Sequence, residues 1–123
     1  MDLDKYLRKR QKLKDSRDEI LRLSVSGEEF EFKKLDDDKY EDIYGRITEV
    51  NQSGDNSGLL DICRDLVYFS LPDLHDPELL ESMQVSYPPD VVREVFSPGE
   101  IDGIGAELIK WNGMADSDDI KKV

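Results

Sequence analysis

The sequence predicts a mainly α-helical fold with one small β-hairpin, an α+β domain in which a compact helical body follows a charged N-terminal helix. Residues 20–35 alone alternate apolar and polar with period two, while several other stretches repeat apolar residues at i, i+3, i+4 and i+7. Proline or aspartate heads each of the later stretches, as at helix starts. With 123 residues, 37% apolar and 37% charged, the chain can build one core and not two of ordinary size. The expected organisation is a charged helix or arm over residues 1–19, a hairpin plus helical domain over 20–114, and a flexible polar tail over 115–123.

The first element, residues 2–19, reads as a helix with a thin apolar stripe of Leu3, Tyr6, Leu7 and Leu13. So narrow a stripe cannot hold a helix by burial alone, so frayed ends, or docking on the body or another subunit, are expected. Next, Leu21, Leu23 and Val25 fall on one face of a strand, and Phe30 and Phe32 on one face of a second, with a short turn at Ser26-Gly27. Two strands alone are marginal, so their apolar face must lie on helices.

Asp36, Asp37 and Asp38 then supply caps for a helix whose Tyr40, Ile43, Tyr44, Ile47 and Val50 are spaced to form one buried stripe. A polar loop over 51–58 separates it from the most apolar helix, Leu59 to Phe69, which Pro72 stops. Asp76-Pro77 opens a short helix carrying Leu79, Leu80 and Met83. Pro88-Pro89 and Ser97-Pro98 open two more, with stripes Val91, Val92, Val95, Phe96 and Ile101, Ile104, Leu108, Trp111, and Gly113 stands where a helix-ending glycine belongs.

The formal charge of −12 is unevenly placed. Residues 1–22 hold eight basic against five acidic residues, and the rest holds nine against 24. Nucleic-acid binding draws on cations placed against phosphates, so the acidic body argues against it. There is no apolar run long enough for a bilayer and no basic-then-apolar leader, and no membrane partner is expected. Cys63, the single cysteine, is expected to be a buried, inert core thiol.

Catalytic and cofactor signatures fail one by one. Gly99, Gly103 and Gly105 are followed by Ala106-Glu107 inside a helical pattern, where a phosphate loop needs Lys-Ser/Thr and a dinucleotide fingerprint needs a preceding strand. Such glycines weaken a helix by roughly 1 kcal/mol each relative to Ala, which suggests close approach of another segment. The loop from Ser53 to Gly58 begins like a calcium loop, yet its twelfth position is Arg64 and not Glu. His75 stands alone between turn residues, short of the three or four ligands zinc requires. The many carboxylate pairs sit on polar helix faces and not in apolar sites that would tune a general acid. No catalytic, cofactor-binding or metal residue is assigned.

The stretch VVREVFSPGEIDGIGAELIKWNGM, behind a charged helix, a hairpin and acidic helices, resembles the tail assembly chaperones of long-tailed phages and related defective prophage elements of Gram-positive hosts. The likeness spans residues 1–114 and lies chiefly in the short helix, the Ser-Pro-Gly-Glu turn and the closing helix that ends near Gly. It implies a non-catalytic protein of the bacterial host cytoplasm that binds the tape measure protein, keeps it soluble, helps recruit the tail tube protein and forms a homo-oligomer. The same likeness makes this the short form of a pair, the Lys121-Lys122 codons being a candidate frameshift site. Candidate partner-binding residues are Val92, Val95, Phe96, Ile101, Ile104, Leu108 and Trp111, with Leu3, Tyr6 and Leu7 of the arm. The alternatives are a small structural or head-to-tail component of a phage-like particle, or a regulatory binding module.

Overall fold

Short polar caps and a few prolines set where each helix begins. In the computed structural model, which describes residues 1–114, α1 spans Leu3–Arg17, and the Asp2 carboxylate accepts the Lys5 backbone N–H at 3.2 Å. Strands β1 (Ile20–Val25) and β2 (Glu28–Lys33) pair antiparallel with Leu21 opposite Phe32 and Leu23 opposite Phe30. Their two-residue turn needs positive φ twice, at Ser26 (52°) and Gly27 (85°), and so twists the hairpin in the sense its strands require. Helix α2 (Asp37–Ser53) is capped by Asp36 and ends at Gly54. Helix α3 (Leu59–Ser70) stops before Pro72, and a 3₁₀ turn, Pro72–His75, leads to the short α4 (Pro77–Ser82).

The Pro88-Pro89 start differs from the expected helix. The ring of Pro89 disfavours the α conformation at Pro88 before it, and residues Pro88–Asp90 form a 3₁₀ turn before the single α-helical turn α5 (Val91–Val95). Helix α6 (Pro98–Trp111) opens with a capping box: the Glu100 N–H donates to Ser97 Oγ at 3.2 Å, and the Ser97 N–H donates to the Glu100 carboxylate at 2.9 Å. It closes through Gly113 at φ 77°, with the Met114 N–H on the Ile109 carbonyl and the Gly113 N–H on Lys110. The polar tail expected over 115–123 lies outside the described residues.

The core is organised around α3. Ile62, Cys63, Leu66 and Val67 pack with Val91 and Val92 of α5 and with Ile101, Ile104 and Leu108 of α6, while Phe32 and Ile43 close it from the hairpin and α2. The stripe of α2 is narrower than its spacing predicts. Only Ile43 is fully buried, Tyr40, Ile47 and Val50 are half-buried, and Tyr44 is exposed, stacked on Tyr40 with centroids 5.8 Å apart. One face of α2 meets α3 and its opposite edge meets solvent, so an aromatic one turn along from Tyr40 gains more by stacking than the shallow contact offers.

Two glycines of α6 have opposite surroundings. A methyl group at Gly105 would lie 2.6 Å from Cys63 Sγ and 2.8 Å from its Cβ, whereas one at Gly103 meets no atom within 4 Å. Gly105→Ala is therefore expected to lower stability by about 1–3 kcal/mol through overpacking. Gly103→Ala, two positions away, is expected to raise it by about 1 kcal/mol through helix propensity. Urea denaturation of the two variants measures the contrast, and a shift of the same sign in both would refute this account of the helix contact.

Candidate docking surface

The ten residues singled out as partner contacts separate into three groups. Val92, Phe96, Ile101, Ile104 and Leu108 are buried, none more than 4% exposed, because the spacing that made them look like a stripe is the spacing that faces α6 and α5 toward α3. They are core residues, although an edge of Ile104 reaches a groove at the surface. Val95 and Trp111 are half-buried at the ends of α5 and α6. The Lys34 ammonium lies 4.4 Å from the Trp111 ring centroid and donates to the Trp111 carbonyl at 2.6 Å, which fixes the indole against the end of β2.

Leu3, Tyr6 and Leu7 form the third group, at 58%, 58% and 42% exposure. Helix α1 has no buried residue, and its base is held by an exposed Arg17–Asp37 pair at 3.6 Å. The apolar stripe that needs a partner therefore finds none within the described residues of its own chain.

One groove combines apolar walls with acid. It lies between β1 and α6, holds about 230 Å³, and is lined by Leu23, Ser24, Val25, Glu100, Gly103, Ile104 and Glu107. The hairpin is set against α6 at both ends. Ser26 Oγ donates to Glu100 at 2.6 Å, and the Leu35 N–H donates to Asn112 Oδ1 at 3.2 Å. Between these ends Phe30 meets Phe96 edge-on, with centroids 5.0 Å apart. Glu100 joins the turn to the capping box, and hydrogen bonds from Ser26 and from the Ser97 backbone hold its carboxyl below the ordinary value of 4.5.

Away from this groove, several charged groups are paired within the fold. Asp65, 6% exposed, accepts from Arg46 at 2.8 Å and from Arg64 at 2.9 Å, and Arg64 continues to Asp90 at 3.2 Å. Burial works against the Arg64 charge, and Asp65, Asp61 and Asp90 more than offset it, leaving the group more basic than usual. Arg93 also pairs with Asp61, so this network ties α2, α3 and α5 together. Burial, helped by Asp102, pushes the Cys63 thiol up to about 11, far from the thiolate form a nucleophile needs. His75 is exposed, its Nε2 2.7 Å from the Tyr68 carbonyl and its ring beside Tyr68. In the 53–58 loop the side chains of Ser53 and Asp55 accept from the backbone N–H groups of Asp55 and Ser57, the bonding of a polar turn. Among the described residues no group of three His, Cys, Asp or Glu is arranged to hold a metal ion, and no helix is long and apolar enough to cross a membrane.

Together these features define an acidic α+β domain that presents a groove and an exposed basic arm. A family model described as phage XkdN-like tail assembly chaperone protein matches residues 3–123, nearly the whole chain. The chain belongs to this family of phage tail assembly chaperones. No curated protein and no solved structure matches it.

The tether at Glu100 has a pH dependence of known sign. Because its folded-state pKa is depressed, the stability it contributes is present above the ordinary carboxylate value of 4.5 and is lost as pH falls through the lower folded value. Wild type is expected to exceed Glu100→Gln in urea midpoint at neutral pH, with the gap closing in acid. A gap that stays constant as pH is lowered would show that the carboxylate charge does not carry the contact.

Proposed function

We propose that this chain binds the tape measure protein in the bacterial host cytoplasm, keeps it soluble and helps tail tube assembly. It does so by docking, without catalysis, and as a homo-oligomer; the tail tube protein is a second partner, and neither nucleic acid nor membrane takes part. Membership of the tail assembly chaperone family over residues 3–123 is the observation that carries this reading. A net charge of −12 supports it, since like-charged copies stay dissolved while carrying an apolar client. So do the half-buried Val95 and Trp111, which pack against the core and keep part of their apolar area at the surface, at the ends of α5 and α6.

The test is co-expression of a tape measure fragment with and without this chain, reading the soluble fraction of the fragment. A several-fold rise is expected with wild type. Val95→Asp is expected to lose most of that rise while keeping the wild-type circular dichroism spectrum, because an unpaired carboxylate buried in an apolar contact costs several kcal/mol. A fragment that stays equally insoluble with and without the chain refutes the proposal.

A further inference from the structure

Arm and groove have complementary chemistry and the same spacing. On α1, Leu3, Tyr6, Leu7 and Arg10 stand at i, i+3, i+4 and i+7 and share one face. On α6, Glu100, Gly103, Ile104 and Glu107 stand at the same intervals along the groove, with Leu23 and Val25 as the opposite wall. Both sets span two helical turns, roughly 10.5 Å. Glu100 is engaged by Ser26 and Ser97, whereas neither Arg10 nor Glu107 has an ion-pair partner among the described residues.

Gly103 leaves the groove open. It is not at a positive φ, and unlike Gly105 it makes no close contact inside the chain. The space above it is the floor of the groove, where a bulky side chain from another molecule has room.

We infer that α1 of one copy docks in the β1–α6 groove of a second copy. Tyr6 and Leu7 lie over Gly103 and Ile104, Leu3 lies toward the stem of Glu100, and Arg10 pairs with Glu107, which sets the arm parallel to α6. Charge complementarity selects a second copy as the occupant. Residues 1–19 carry two more basic than acidic residues, the remainder carries 14 more acidic than basic, and every copy brings both surfaces. Only Asp18 and Glu19 connect the arm to β1, and the structure holds the arm clear of its own groove. Two copies related by a two-fold axis exchange arms reciprocally, so each dimer contains the contact twice and closes. The inference specifies the contact behind the homo-oligomer proposed above.

The test uses full-length chains with Arg10→Glu or Glu107→Arg, both at exposed positions. Self-association is measured by sedimentation at physiological ionic strength, where the long-range repulsion between copies of net charge −12 is screened and contacts within one side-chain length remain. Each variant alone is expected to associate at least about tenfold more weakly than wild type, since each sets like charges against one another. Mixed, the two variants form a dimer in which both contacts again join opposite charges, and association returns to near the wild-type value. A fold weakened by mutation would gain nothing from mixing. Wild type that is monomeric under these conditions overturns the inference, as do variants that associate like wild type or a mixture that fails to recover. Loss of tape measure binding in Arg10→Glu with self-association unchanged also overturns it, because the arm would then serve the client. The client-solubility assay is scored separately, so failure of the arm exchange is distinguishable from failure of the proposed function.

Discussion

The close approach of α3 and α6 at Cys63 and Gly105 is the contact from which the rest of the domain follows. With 2.6 Å between the Cys63 sulfur and the place where a Cβ would stand, the helices meet at a distance that only glycine allows. That approach brings Ile101, Ile104 and Leu108 against Ile62, Leu66 and Val67. The hairpin can then cover α6 from outside, because Ser26 reaches Glu100 at one end and Leu35 reaches Asn112 at the other. The thiol's raised pKa is a by-product of the same contact, burial of sulfur being what makes it unreactive.

Charge does the complementary work on the other side of α3. Asp65 is too buried to stand alone, and it survives because Arg46 from α2 and Arg64 from its own helix both reach it. Removing its partners would leave a buried charge unpaired, at a cost of several kcal/mol, so the pair constrains the approach of α2 beside the buried Ile43. The stacked Tyr40 and Tyr44 belong to the same balance, since α2 is held by its polar edge and leaves aromatic area in solvent.

Local signals were the legible ones. The hairpin was readable because alternation with period two is confined to it, and helix starts were readable where Asp36, Asp76 and Ser97 are capping residues followed by helical spacing. Burial depth was not readable. Tyr44 has the spacing of a core residue and lies in solvent, while Ile101, Leu108 and Val92 have the spacing of a docking stripe and are fully buried. Periodicity names the face of a helix and not what covers it, and what covers it is settled by non-local contacts such as Ser26 with Glu100, 74 residues apart. The groove was missed for that reason. Its walls come from β1 and α6, and the one sequence signal that pointed to it was the set of glycines in α6, read as close approach before it was known that Gly105 meets Cys63 and Gly103 meets nothing.

The uneven charge sets how firmly two copies hold one another in the proposed arm exchange. Each carries −12 overall, so two copies repel at long range, and the basic arm offsets that repulsion only where it lies against acid. At physiological salt the Debye length is about 8 Å, which removes most of the long-range repulsion and leaves contacts within about one side-chain length. A four-residue apolar and basic face in an open groove is a small contact, well below the roughly 800 Å² per partner of a stable interface, so reciprocity has to make up the difference. Arms exchanged on those terms form a dimer that dissociates readily. That suits an assembly factor, which has to yield its surfaces to a growing particle, better than the permanent interface of a particle component.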